Sequence, residues 1–349
     1  MVENSVRDAV CSFDNLHKAM YKCKKGVTWK DSVSRFNNNG LVSTLRLMNS
    51  LESDKYDISD YYKFTIHEPK KREIVSTNFK DRVFQRSLCD NYLYHEVAKS
   101  FIYDNGACQI GRGTDFSRRR LKTHLQKYYR KYGNEGYVLK LDFKNYFGST
   151  PHPTAKKALE KVVGDGWTLS HTHRIIDSYN TDGKGIGLGL GSQTTQLVQL
   201  LVLNDLDHLI KEKLHAKHYM RYMDDMVIIH PDKGFLFGCL SEIENRILGL
   251  GLALNRKKTQ MFQLGQGINY LGFKYRLSAT GAVIMVISKE NIKKRKRKLR
   301  QYKGLVGRGL MARAKADECY KAWKAHAMNG NSYDLLKHMD EYYKGLWEN

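Results

Sequence analysis

Tyr222-Met223-Asp224-Asp225 stands between two short runs rich in Tyr, Met, Val and Ile, residues 217–222 and 226–230. Such flanks read as β-strands, so the two carboxylates fall where a hairpin would turn. An acidic tip pushed off the end of a sheet suits a divalent cation. An isolated Asp-Asp pair is ordinarily a solvated turn, and a second acidic strand upstream changes that reading. In Tyr137-Val138-Leu139-Lys140-Leu141-Asp142-Phe143 apolar residues alternate and an aspartate follows the last of them. Nucleotidyl transfer by two Mg²⁺ ions about 3.5–4 Å apart needs carboxylates from separate strands, one ion activating the attacking hydroxyl and the other holding the triphosphate. Asp142 with Asp224 and Asp225 supplies such a set.

On these residues the chain resembles the reverse transcriptases, and the resemblance covers most of its length. Tyr222 to Asp225 is similar to the family's catalytic hairpin, and Leu141-Asp142-Phe143-Lys144-Asn145-Tyr146-Phe147 to its first metal-binding strand. The resemblance implies an α+β, right-hand polymerase of fingers, palm and thumb, with an antiparallel palm sheet and a helical, basic thumb. Asp142, Asp224 and Asp225 are then the catalytic metal carboxylates, with Phe143 in the metal set, binding two Mg²⁺ ions or Mn²⁺ in their place. Phe147 would lie under the incoming sugar and collide with a ribose 2′-OH. Tyr222 would contact nucleic acid.

Between the acidic motifs, Gly185-Ile186-Gly187-Leu188-Gly189-Leu190-Gly191-Ser192-Gln193-Thr194-Thr195-Gln196 reads as a Gly-rich loop entering an apolar helix over 197–210. Glycines let backbone approach a substrate closely, and a helix N-terminus favours anionic groups. Many Gly-rich loops merely turn corners. Set against reverse transcriptases, the stretch resembles the motif that meets the template base and the incoming nucleotide, which places Leu190, Gly191 and Gln196 at the nucleotide. Most members carry Pro-Gln-Gly there and end in Ser-Pro, whereas this chain has Gly189-Leu190-Gly191 and Thr195-Gln196. An aliphatic residue for that glutamine and a closing glutamine resemble the enzymes of diversity-generating retroelements, with defence-associated bacterial reverse transcriptases close behind. Loss of one amide beside the nascent pair implies weaker discrimination.

Upstream, His67-Glu68-Pro69-Lys70-Lys71-Arg72-Glu73-Ile74-Val75 puts a basic cluster on a hairpin. Arginine binds a triphosphate bidentately, and likeness to the fingers motif selects Arg72, leaving Lys70 and Lys71 as a solvated face. Gly111-Arg112-Gly113-Thr114 resembles the next fingers motif and makes Arg112 a nucleic-acid ligand. Downstream, Asn255-Arg256-Lys257-Lys258 resembles the lysine-bearing loop near the pyrophosphate leaving group, where a lysine could act as general acid. The sequence does not choose between Lys257 and Lys258; Lys258 is carried as the candidate. Tyr270-Leu271-Gly272 resembles the hairpin that grips the primer end. The basic run over 289–300 reads as a helix, and its position after that hairpin assigns Lys293, Lys294, Arg295, Lys296 and Arg297 to a duplex backbone.

Lys and Arg number 59 against 36 Asp and Glu, a formal net charge of +23 in 349 residues, which implies a polyanionic partner. No amphipathic membrane-binding helix, lipidation signal or long apolar run stands out, and the first 14 residues hold acids without an apolar stretch. Six cysteines without a CxxC spacing read as reduced thiols of a cytoplasmic protein. The expected division is fingers over 1–135, palm over 136–276 and thumb over 277–349, with Trp323, Tyr342, Tyr343 and Trp347 as a thumb core. The expected activity is RNA-directed DNA synthesis on an RNA template from a DNA or RNA primer and deoxynucleoside triphosphates. A dedicated noncoding RNA or an accessory protein are further partners the resemblance admits, and a membrane is not. The source would be a bacterial or phage retroelement, or alternatively an antiphage enzyme whose synthesis is templated, untemplated or protein-primed. An intact carboxylate set argues against a catalytically dead RNA-binding protein.

Overall fold

A computed structural model describes residues 5–67, 72–179 and 183–348. The chain opens with helices α1 (Val6–Cys11), α2 (Phe13–Lys24), α3 (Asp31–Asn38) and α4 (Gly40–Glu52). Ser5 and Ser12 start the first two by accepting from the backbone N–H of Asp8 and Asn15. The expected basic hairpin follows as antiparallel β1 (Tyr62–Ile66) and β2 (Arg72–Ser76). Helices α5 (Phe79–Leu88) and α6 (Tyr94–Lys99) run on through a π-helical turn at Cys89–Leu93, and α7 (Thr114–Tyr132) leads to β3 (Tyr137–Leu141).

After β3 come the short α8 (Tyr146–Ser149), then α9 (His152–Glu160), α10 (Gly166–Ser178), α11 (Gln193–Val202) and α12 (Asn204–His208). The acidic hairpin is β4 (His218–Tyr222) and β5 (Asp225–His230), followed by α13 (Lys233–Gly249) and β6 (Gln260–Gln263). Strands β7 (Ile268–Tyr270), β8 (Phe273–Leu277) and β9 (Val283–Ile287) precede the C-terminal helices α14 (Lys289–Gly307), α15 (Arg313–Ala327) and α16 (Tyr333–Gly345). The architecture is α+β, with antiparallel sheets.

The central sheet runs β4-β5-β3-β6, and β7-β8-β9 form a separate sheet. Strand alternation sends the two faces of the central sheet into different apolar clusters. Leu139, Leu141, Met226 and Ile228 face a cluster shared with the N-terminal helices, α9–α11 and α13. Val138, Val227 and Ile229 face a second cluster with α7, the β7–β9 sheet and the C-terminal helices. Both faces are covered, which is why β5 is apolar over four successive buried residues instead of alternating with polar ones. The expected boundary at residue 276 passes through β8, because that strand continues to Leu277 and shares its cluster with α14–α16.

Helix α11 is buried throughout residues 197–202, a stretch apolar but for Gln199. Trp323 and Tyr343 are buried among the C-terminal helices, with the rings of Tyr320 and Tyr343 stacked 4.2 Å apart. All six cysteines are free thiols. No helix among the described residues is long and apolar enough to cross a membrane.

Candidate active site

Register brings the carboxylates together. Leu141 pairs with Met226 across β3 and β5, so one further step sets Asp142 opposite Asp225. Tyr222 pairs with Asp225 across β4 and β5, leaving Met223 and Asp224 as a two-residue turn in which Met223 adopts φ +55°. Arg221, fully buried, holds this turn from behind. It forks onto the carboxylate of Asp207 at 2.8 and 2.5 Å and donates to the carbonyls of Met223 at 3.2 Å and Leu200 at 3.1 Å. The acidic tip is thus fastened to α11 and α12 by a buried guanidinium whose Nε, Nη1 and Nη2 each find an acceptor.

Each of the paired carboxylates meets an ammonium. Lys258 Nζ lies 2.8 and 2.9 Å from the two oxygens of Asp142, and Lys140 Nζ lies 3.2 Å from Asp225 Oδ1. Asn255 Nδ2 also donates to Asp142, at 3.2 Å. Burial pushes the Asp225 carboxyl up to about 6; Lys140 pulls against that rise, and the charges of Asp224 and Asp142 add to it. Mutual repulsion of this kind is what a divalent cation relieves, so the donor chemistry fits Mg²⁺. Among the described residues no three acidic, His or Cys donors already converge as a metal cage. Mg²⁺ does not demand one, since it keeps waters and takes substrate phosphates as ligands alongside one or two carboxylates.

Beside the tip lies a cleft lined by Phe143, Phe147, Leu190, Asp224, Asn255 and Lys258, with Glu73 and Val75 of β2 also on its wall. Phe147 is half-buried in α8, and its carbonyl accepts from Leu188 N–H at 2.8 Å, which fixes the start of the Gly-rich loop against it. Packing requires one glycine of that loop and crowds a second. A Cβ at Gly189 would sit 1.9 Å from the Tyr179 ring, and one at Gly191 would sit 3.0 Å from the Val75 carbonyl. Ser192 caps α11 by accepting from Thr195 N–H. Gln196 is directed inward, donating to the Leu190 carbonyl at 3.1 Å, so it braces the loop instead of lining the cleft.

A family model for reverse transcriptase (RNA-dependent DNA polymerase) matches residues 66–275, which span β3, the Gly-rich loop and the acidic hairpin. The chain belongs to the reverse transcriptase family. Among solved structures it is similar to apo telomerase from Candida tropicalis truncated from its C-terminal domain, at 13% identity and TM-score 0.50 over 65% of this chain. It is also similar to telomerase from Candida albicans in complex with a TWJ fragment of telomeric RNA, at 11% identity and TM-score 0.50 over 76% of this chain. The chain spans 55% of each of those proteins, and the likeness is one of fold. No curated protein sequence matches it.

Several residues that sequence reasoning gave to the reverse transcriptase's substrates are placed otherwise. Arg112 donates to the carbonyls of Ile102, Tyr103 and Asn105 and lies between the rings of Tyr103 and Phe116, so it clamps a loop. Tyr270 is buried under α7, leaving Leu271 and Gly272 to form the tip of the β7–β8 hairpin. That tip has φ +46° and +87°, the left-handed pair a two-residue turn favours. On α14, Lys293, Lys294 and Arg297 are exposed, but Arg295 covers the Trp323 ring and Lys296 meets His338 and the Tyr342 ring. Tyr222 is half-buried between the two apolar clusters. Arg72 opens β2 with its side chain outside the described residues, and Lys70 and Lys71 lie outside them altogether. Sequence reasoning missed Asn255 and Lys140; alternation along β3, which puts residues 140 and 142 on one face, was a usable signal for the lysine.

Proposed function

We propose that the chain synthesises DNA on an RNA template by two-metal nucleotidyl transfer, with Asp142, Asp224 and Asp225 as the carboxylates. The observation that carries this reading is their meeting at adjoining strand ends beside a cleft that also holds Phe147, Leu190 and Lys258. Bound Mg²⁺ would supply Lewis-acid activation of the primer hydroxyl and a counter-charge for the triphosphate. Lys258, within hydrogen-bonding distance of Asp142, would serve as general acid toward the leaving pyrophosphate. Fingers would run through residue 135 and the palm would carry β3–β6. The thumb would combine α14–α16 with the β7–β9 sheet. Template, primer and deoxynucleoside triphosphates are the partners this arrangement serves.

The test is primer extension on a defined RNA template. Asp224→Asn removes one carboxylate charge at a turn and is expected to abolish incorporation while leaving the circular dichroism spectrum and RNA affinity near parental values. Extension at parental rates would sink the assignment. A catalytically dead RNA-binding protein would give no incorporation even in the parent.

We infer further that the enzyme acts in a mutagenic bacterial or phage retroelement, supported by the aliphatic Leu190, which faces the cleft with no side-chain amide. Sequenced cDNA is expected to carry excess errors opposite template adenine, reduced by Leu190→Gln, because a restored amide penalises a misaligned pair. Low error at adenine, together with DNA made without added template, would favour the antiphage reading.

A further inference from the structure

Lys140 and Lys258 both neutralise candidate metal carboxylates, but they are tethered differently. Lys258 is 52% exposed, and both hydrogen bonds of its side chain go to Asp142. A cation arriving at Asp142 competes directly with that lysine, which has open solvent to move into. Lys140 is 22% exposed and has a second anchor, donating to the Asn269 carbonyl of β7 at 2.6 Å. Strand alternation places Lys140 and Asp225 on the sheet face that carries Val138 and Val227, under the β7–β8 hairpin. Displacing Lys140 would therefore strip a backbone carbonyl of its donor as well as expose the charge of Asp225.

We propose that Lys140 is a positioning residue: a resident counter-ion that holds Asp225 and ties it to the β7–β8 hairpin, so that the hairpin tip and the carboxylate move as one unit. The inference rests on the polymerase reading of the site and adds to it a residue outside the carboxylate set. Its physical consequence has two opposite signs. Removing the ammonium makes the centre more negative and should tighten divalent cation binding. The same change frees the hairpin from Asp225 and should impair use of the primer end.

The experiment measures Mn²⁺ binding to the protein without nucleic acid by electron paramagnetic resonance, and primer extension separately. Lys140→Met is expected to bind Mn²⁺ on the order of tenfold more tightly, with KM for primer-template raised and kcat lowered. Lys140→Arg, which keeps the charge, is expected to retain the parental Mn²⁺ affinity. In a double-mutant cycle with Asp225→Asn the effects on Mn²⁺ affinity should be non-additive, because each change removes the same pair. Unchanged Mn²⁺ affinity in Lys140→Met overturns the proposal, including the case where its denaturation midpoint falls along with its activity. Failure of Asp224→Asn to abolish extension would instead strike the polymerase reading itself.

Discussion

Phe147 shows how much a single residue can be asked to do by its neighbours. Asn145, in the left-handed conformation at φ +48°, turns the chain out of β3 and into α8, and the ring that follows reaches the cleft shared with Asp224 and Leu190. If the sugar of an incoming nucleotide lies over that ring, Phe147→Ala should raise ribonucleotide use relative to deoxyribonucleotide use on the order of 10- to 100-fold in kcat/KM. Discrimination that stays parental in single-nucleotide incorporation would assign Phe147 to packing alone. At this scale the three aspartates were legible, because alternation and the acidic turn place them without knowledge of the fold. Asn255 was not, since it reaches Asp142 from 113 residues away along the chain. Tyr270 and Arg112 misled for a related reason: a motif names a residue type, but burial decides whether its side chain faces a ligand or the protein.

Elements carry a different kind of information. Helix α14 reads in the sequence as a cationic run interrupted by Glu290, Asn291, Ile292 and Leu299; Ile292 and Leu299 mark an inward stripe, and Arg295 and Lys296 fall between them at helical spacing. Those two side chains lie along apolar and aromatic surface, whereas Lys293, Lys294, Arg297 and Arg300 stand outward on one face. Charge reversal of Lys293, Lys294 and Arg297 should therefore reduce the slope of log affinity against log salt by about 0.7–0.9 for each phosphate no longer neutralised, with little change in stability. Arg295→Ala should lower the denaturation midpoint and leave the slope nearly intact. Filter binding across a salt series decides between them, and an unchanged slope after triple reversal would make the outer face merely solvated. The Gly-rich loop was legible in its entry to α11, while the packing demands on Gly189 and Gly191 come from Tyr179 and β2, which no local pattern announces.

For the molecule as a whole, the decisive polar hub is Asp104, buried where α7, the π-helical turn at Leu209–Lys213 and β4 meet. Its carboxylate takes Arg120 at 2.6 Å, His124 at 3.0 Å and Lys211 at 2.8 Å, and its carbonyl accepts from Arg221 N–H at 3.1 Å. Nothing in the sequence marks Asp104, because its partners come from separate elements that only the assembled fold brings near. Burial alone would raise its carboxyl, but the hydrogen bonds and charges of His124 and Lys211 outweigh burial and hold it well below the usual range. Beside it the His124 and His218 rings lie 5.8 Å apart. Burial, then the charges of His124 and Lys211, push His218 down to about 4, and burial lowers His124 too. The signs then separate two windows of acid loss. Between about 6.5, where an unfolded imidazole takes its proton, and about 4, His218 binds a proton in the unfolded state and not in the folded one, so its contribution to stability falls as pH falls, while Asp225, raised to about 6, works in the opposite direction. Asp104 contributes stability that is fully present above the ordinary aspartate range and is lost progressively as pH drops from that range to its depressed value. The denaturation midpoint should accordingly decline from slightly acidic pH downward and then drop again under strongly acid conditions. His218→Gln should flatten the first decline and leave the second, whereas Asp104→Asn should lower stability at neutral pH and remove the second. Identical pH dependence of the parent and His218→Gln between pH about 6.5 and about 4 would mean that this imidazole does not resist protonation in the folded chain.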